Sequence, residues 1–295
     1  MSEPILIISG PTASGKTDLA AKLAKLLDGE LVSADSRQIY RGLDIGTGKD
    51  RPENVKIHLI DLINPNQSFS VAQYRELALK TIKEIKSRGK LPIVVGGTGQ
   101  YLEAIINPPK PSFNIKPNKF LRFFLNKFSL KTLQVIYKFL DEESFSKLNY
   151  ADLHNPHRLI RKIEIKLSHP RKIENCELKV ENYYHLSLTA PNRVLYQRVD
   201  QRVEARIKNG LEQEIEKLLK KYRWGDPGLN THAYKELKTG FTEENINRWR
   251  FDEHRYVRRQ KTWLEKMPNI RYFDITSPHY PQEVIDYVLK CYNKL

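Results

Sequence analysis

Gly10-Pro11-Thr12-Ala13-Ser14-Gly15-Lys16-Thr17 satisfies G-x-x-x-x-G-K-[ST] at every fixed position. Ahead of it runs Ile5-Leu6-Ile7-Ile8, the apolar run of a buried strand. Behind it Leu19, Ala20, Leu23, Ala24, Leu26 and Leu27 recur at helical spacing. Strand, glycine loop and helix form the setting in which a phosphate-binding loop works. Glycines let backbone N–H groups close around phosphate oxygens, and the helix N-terminus adds the positive end of its dipole. On this reading Gly10, Thr12, Ala13, Ser14, Gly15, Lys16 and Thr17 hold a di- or triphosphate. Lys16 reaches its terminal phosphates and the Thr17 hydroxyl holds Mg²⁺. The loop alone does not say which phosphate compound is bound.

The chain has 295 residues, room for one large or two ordinary domains. Hydrophobic residues make up 40% and charged residues 29%, a globular balance. No run approaches a membrane span and residues 1–10 read as strand rather than signal peptide, so the expectation is a cytoplasmic protein without membrane contact. Cys176 and Cys291 are too few for a disulfide framework or a four-cysteine zinc site. The net charge is +15, from 50 Lys+Arg against 35 Asp+Glu. Such an excess suits a polyanionic partner, because each neutralised phosphate releases counterions. A general lysine bias is the alternative, and clustering of the charges argues against it.

Residues 30–34 read as a second strand that ends at Asp35-Ser36-Arg37-Gln38-Ile39-Tyr40. Ligands of open parallel sheets bind at the carboxyl ends of strands, which sets Asp35 beside the phosphate loop. Its bland role is to cap the next helical turn. Residues 55–61 suggest a third strand, with Asp61 as a turn residue rather than a cation ligand. Ser70-Val71-Ala72-Gln73 fits a capping box and opens a helix stopped by Gly89. Residues 91–95 are a buried strand running into Gly96-Gly97-Thr98-Gly99, so three strand ends converge.

Four prolines within 107–120 mark an exit from the core. Residues 119–128 are aromatic and basic, and packing is the favoured role of the aromatics over a nucleic-acid surface. From His154 onward Arg158, Arg161, Lys162, Lys166, Arg171 and Lys172 face a single acid, Glu164. Residues 184–189 alternate like a strand. Pro191 then starts a helix with Leu195, Val199, Val203 and Ile207 inside and Arg193, Arg198, Arg202 and Arg206 outside. Residues 211–222 read as a plainly solvated helix. The last helix, 242–267, interleaves Arg255, Arg258, Arg259 and Lys261 with Tyr256 and Trp263, which suits phosphate contact or base stacking. The fold class is therefore α/β, a P-loop NTPase-like parallel sheet flanked by helices with a small helical insertion. Residues 1–109 and 150–295 form the expected core, and 110–149 the insertion.

The chain resembles the tRNA dimethylallyltransferase (tRNA isopentenyltransferase) family. The likeness rests on the phosphate loop, on Ser33-Ala34-Asp35-Ser36-Arg37-Gln38-Ile39-Tyr40 with Asp44-Ile45-Gly46-Thr47, and on Gly96-Gly97-Thr98-Gly99-Gln100-Tyr101-Leu102. Later come the basic helix at 158–161, Tyr234-Lys235-Glu236-Leu237 and Arg258-Arg259-Gln260-Lys261-Thr262-Trp263. Order and rough spacing hold from residue 4 to about 275. The chain departs from the family at His154-Asn155-Pro156-His157-Arg158, at Lys162-Ile163-Glu164 and at Ala233.

The resemblance implies dimethylallyl diphosphate as donor, its pyrophosphate gripped by the loop with Mg²⁺ on Thr17. It implies N6 of adenosine-37 in the tRNA anticodon stem-loop as acceptor. Lys16, Thr17 and Asp35 would be catalytic, Asp35 as the base. Asp35, Ser36, Arg37, Gln38 and Thr98 would contact the flipped base. His157, Arg158, Leu159, Ile160, Arg161, Asn230, Thr231, His232, Ala233, Tyr234 and Lys235 would contact tRNA, and Arg258 and Arg259 join them as the basic helix. A monomer is expected. The competing readings are a P-loop kinase of a small metabolite and a non-catalytic RNA-binding P-loop protein.

Overall fold

The computed structural model of the chain describes residues 4–108, 111–168, 180 and 182–292, so Arg171, Lys172 and Cys176 lie outside the described residues. One sheet contains β1 (Ile5–Ser9), β2 (Gly29–Ser33), β3 (Ile57–His58), β4 (Leu91–Gly96), β5 (Tyr183–Thr189) and β6 (Ile270–Asp274). Every pair is parallel, in the order β3-β2-β4-β1-β5-β6. This is the expected class. Parallel strands need crossover helices, which cover both faces and make the central strands apolar throughout. Alternate residues of β1 serve opposite layers. Leu6 and Ile8 pack with Leu19 and Leu23 of α1 (Lys16–Leu26), while Ile5 and Ile7 pack with Tyr74, Ala78 and Ile82 of α2 (Val71–Ser87) and Leu102 of α3 (Gly99–Ile106). The Ser70 capping box of α2 is formed as expected. The third strand is only two residues long. Leu59 and Asp61 have φ of +62° and +54°, which breaks the extended backbone there. Asp61 pairs with Lys49 and Arg51 and so closes a turn.

Residues 108–177 form a compact unit separate from 1–107 and 178–295. It contains α4 (Lys119–Leu125), α5 (Leu130–Leu140), α6 (Glu142–Ser146), α7 (Tyr150–Leu153) and α8 (Pro156–Leu167). The expected insertion ended at 149, whereas α8 belongs with it. Leu159, Ile160 and Ile163 of α8 pack against Leu125, Leu133 and Tyr137. Charge on α8 is also less one-sided than expected. The unexposed Glu164 carboxylate receives Arg122 and Arg161, and Arg158 and Lys162 both pair with Asp152. Along α4 the aromatics do not pack inward as expected. Phe120 and Phe123 are exposed, and Lys127 stands over the Phe123 ring at 4.4 Å.

The larger unit is completed by α9 (Asn192–Lys208), α10 (Leu211–Leu219), α11 (His232–Glu236), α12 (Glu243–Leu264) and α13 (Gln282–Tyr292). Ile39, Leu43, Val203, Leu211, Ile215, Tyr234 and Trp249 form its third core cluster. This cluster anchors α9, α10, α11 and α12 beside the turn that follows β2.

Candidate active site

At the end of β1 the chain turns through Gly10 at φ +151°, where a Cβ would stand 2.8 Å from the Leu188 carbonyl oxygen. Gly15, at φ +80°, precedes α1. Left-handed backbone of this kind is cheap only for glycine. Lys16 folds back so that its Nζ donates to the Pro11 carbonyl at 3.2 Å. Burial pushes its pKa down to about 8, while Asp35 pulls it upward and Arg202 lowers it further. Lys16, Thr17, Asp35 and Asp50 all line one crevice. Loop and carboxylate are thus brought together as the strand-end argument expects.

Asp35 leaves β2 in a local turn, its Oδ1 accepting the Arg37 amide at 2.8 Å. Thr98, leaving β4, accepts the Ser36 amide on its hydroxyl at 3.1 Å. Gly96 lies so close to the backbone of Ala34 that no side chain fits. The Tyr256 hydroxyl hydrogen-bonds Thr98, and burial raises its pKa, with Asp35 adding to the effect. Gln260, buried on the same helix α12, accepts the Thr12 amide at 2.8 Å and donates to the Gly97 carbonyl at 3.0 Å. It ties the phosphate loop to the second glycine turn.

Arg202 and Arg206 of α9 correct the solvent-facing role expected from the sequence, whereas Arg198 stays exposed. Arg198 donates to the Ala13 carbonyl of the phosphate loop at 3.2 Å. Arg202 and Arg206 line the crevice. Arg206 lies 3.3 Å from Glu253, and burial lowers its pKa. Arg202 and Arg206 follow Leu195 by seven and eleven residues, so they lie on the inward stripe of α9 with Val199 and Val203, and it is the face of Gln197, Gln201 and Glu204 that meets water. Four-residue spacing of arginines marks one face, but an open crevice beyond that face leaves no trace in the local pattern.

The residues assigned to RNA divide by exposure. Arg37, Asn230, His232, Lys235, Asp252, Arg255 and Arg259 rim a shallow opening. Thr231 and Gln38 line the crevice itself. Ala233 and Tyr234 are fully buried, so their side chains pack, while Lys235 is exposed and His232 half-buried at the rim. In the smaller unit Leu159 and Ile160 are likewise core, and Arg161 is turned toward Glu164 and the carbonyls of Ser112 and Ile115. His157 and Arg158 are the exposed members of that segment. Arg258 donates to the Tyr196 hydroxyl at 3.0 Å, and Arg259 stands 5.7 Å over the Tyr256 ring.

The crevice suits a hard cation that arrives with its ligand. Its side-chain oxygens include the Thr17 hydroxyl and the carboxylates of Asp35, Asp50 and Glu253. Among the described residues no group of three or more His, Cys, Asp or Glu could hold a metal by itself. Mg²⁺ fits such a site, since it takes few protein ligands and completes its shell with water and phosphate oxygens. Among the described residues no helix is long and apolar enough to cross a membrane.

The family model described as IPP transferase matches residues 38–267. A tRNA dimethylallyltransferase of Roseiflexus castenholzii is 38% identical over 90% of this chain and 91% of its own length. One from Bacillus cytotoxicus is 33% identical over 97% and 95%. Among solved structures, the full-length tRNA isopentenylpyrophosphate transferase of Bacillus halodurans superposes with a TM-score of 0.71 at 32% identity, covering 98% of this chain and 96% of that one. A eukaryotic dimethylallyltransferase acting on tRNA shares the fold, with a TM-score of 0.82 at 24% identity, covering 98% of this chain and 80% of that one.

Proposed function

The chain belongs to the IPP transferase family, and from that premise we propose that it transfers a dimethylallyl group from dimethylallyl diphosphate to N6 of adenosine-37 in tRNA, releasing diphosphate. The observation that carries this reading is the shared crevice of Lys16 and Asp35, a phosphate-holding cation and a carboxylate brought together from two strand ends.

The adenine amino group is a weak nucleophile because its lone pair is delocalised into the ring. Transfer forms the bond from N6 to C1 of the prenyl group and breaks the bond from C1 to the diphosphate oxygen. The departing charge needs stabilisation and the N6 proton needs an acceptor. Loop amides and Lys16 receive the diphosphate, with Arg202 and Arg206 on the neighbouring wall. Mg²⁺ held by Thr17 would supply further charge neutralisation on the leaving group. Asp35 takes the N6 proton. Adenosine-37 reaches these groups by leaving the anticodon-loop stack, as bases in unpaired loops can. Arg37 and Gln38 of the crevice lining receive it, with Ser36 and Thr98 bonded to each other beside them, and the basic rim of Arg37, Lys235, Arg255 and Arg259 holds nearby phosphates. One chain acts as a monomer in the cytoplasm on one tRNA.

The test incubates the protein with Mg²⁺, dimethylallyl diphosphate and a tRNA bearing adenosine-37, followed by mass spectrometry of the nucleosides. The expected product is the prenylated adenosine. Phosphate release or transfer from ATP, with no prenylated nucleoside, overturns the reading in favour of a kinase. The kinase reading leaves the basic rim unexplained.

A further inference from the structure

Glu214 lies on α10, a helix whose sequence reads as solvated, yet its carboxylate is fully engaged. Oε2 accepts the amides of Asp44 at 2.8 Å and Ile45 at 2.7 Å. Oε1 accepts the Gly46 amide at 2.9 Å and the Tyr234 hydroxyl at 2.6 Å. Gly46 in turn lies flat against the Tyr234 ring, where no Cβ fits. Four donors converge on one side chain, and three of them are backbone. Bonds to an ionised acceptor are the stronger kind, so this carboxylate fixes the segment more firmly than a neutral side chain could.

The fixed segment runs straight into the crevice. Gly46, Thr47, Gly48 and Asp50 line it. The Gly48 carbonyl accepts from Gln38 at 3.4 Å, and Asp50 lies 3.6 Å from Arg202. Gly48, at φ +60°, also lies against the guanidinium groups of Arg202 and Arg206. At its other end Tyr234 belongs to α11, between His232 and Lys235 of the basic rim. We propose that Glu214 is a positioning residue for the transfer: it sets the 44–48 segment, and through it Arg202 and Arg206, beside Lys16. Glu214 touches no substrate. This inference rests on the functional reading above.

Glutamine cannot replace it. Its single acceptor oxygen serves two donors at best, and its NH2 group then faces an N–H. The experiment titrates inorganic pyrophosphate with Mg²⁺ into the wild-type chain, Glu214→Gln, Gly46→Ala and an exposed control on the same helix, Glu216→Gln. Each variant's melting midpoint is recorded, and kcat, KM and tRNA affinity are measured well below it. Glu214→Gln is expected to bind pyrophosphate about 10-fold more weakly and to lose about 100-fold in kcat, the scale of a misplacement near 1 Å. Its tRNA affinity stays within about 3-fold of wild type, because the rim cations remain. The control matches wild type. Gly46→Ala, which keeps the carboxylate but forces the segment off Tyr234, gives the same pattern and serves alone if Glu214→Gln does not fold. A lowered midpoint with unchanged pyrophosphate affinity and kcat in either variant overturns the proposal. Failure of the wild-type chain to bind pyrophosphate or prenylate tRNA strikes instead at the functional reading.

Discussion

Gln260 accepts the backbone N–H of Thr12 at 2.8 Å, joining the longest helix of the larger unit to the phosphate loop. That loop amide is fixed by a side chain rather than left free to wander. Replacing Gln260 with Ala leaves the Thr12 amide and the Gly97 carbonyl without these bonds, at a cost of about 1–3 kcal/mol. The expected result is a melting midpoint lowered by several degrees and a kcat/KM about 10–100-fold lower, since both glycine turns lose their register. Thermal melts and steady-state prenyl transfer measure the two effects.

Asp35→Asn keeps an oxygen able to accept the Arg37 amide, so the turn survives while the carboxylate proposed as the base is lost. Prenylation is expected to fall by about 100–10,000-fold, the range for a general base. Affinity for tRNA stays within a few-fold. Unchanged turnover removes Asp35 from the proton transfer.

Lys16 gives the site a signature in alkaline solution. Its pKa, lowered by burial to about 8 from 10.5, means that between these values the unfolded chain binds more protons than the folded one. Its contribution to stability is therefore full above 10.5 and is lost as pH falls through about 8. Binding has the opposite slope. Above about pH 8 a diphosphate must draw a proton onto Lys16, so affinity for a non-reactive dimethylallyl diphosphate analogue is expected to fall. Calorimetry in two buffers of different ionisation heat detects that proton, and Lys16→Met abolishes its uptake.

The exposed arginines of α12 are expected to act through phosphates. Arg258→Ala with Arg259→Ala lowers the slope of log Kd against log salt by about 1–2, near one unit per lost contact. Filter binding of tRNA over a salt series reads the slope directly. An unaltered slope excludes this surface from backbone contact.

Glu164 organises the smaller unit. Although burial raises its carboxyl pKa, the bonds from Arg122 and Arg161 outweigh burial and hold it below the usual range. A depressed carboxylate stabilises above its unfolded pKa, and that contribution is lost as pH falls through the lower folded value. Glu164→Ala leaves two guanidinium groups without this partner, at a cost of about 3 kcal/mol. Protection factors for amide exchange over 119–167, referred to the intrinsic rate at each pH, are expected to fall in the variant at neutral pH and in the wild type in acid.

The strand–helix order and the convergence of Lys16, Asp35 and Thr98 were legible because local patterns determine them. Buried runs and glycine turns announce parallel strands, and strand ends announce the crevice. Arg202, Arg206 and Glu214 were not legible in that way. Arg202 and Arg206 extend the inward stripe of α9 as cations while α10 carries an ordinary polar face, and only tertiary packing shows that either one ends at the crevice wall rather than in water. Glu214 is harder still, since three of its partners are backbone amides, which every sequence contains. The helix at 156–167 was misassigned to the core for a related reason. Its basic face stands out in the sequence, whereas the apolar stripe that decides its neighbours matches many possible surfaces.

The bond between Thr12 and Gln260 also has a history within each round of synthesis, because 248 residues separate its ends. At translation speeds of about 5–20 residues per second, the loop emerges roughly 12–50 s before the side chain that ties it. Through that interval a nascent chain carries the phosphate loop without its completed setting. The phosphate loop of a ribosome-bound intermediate, or of a fragment ending before α12, therefore lacks the tie that fixes its Thr12 amide.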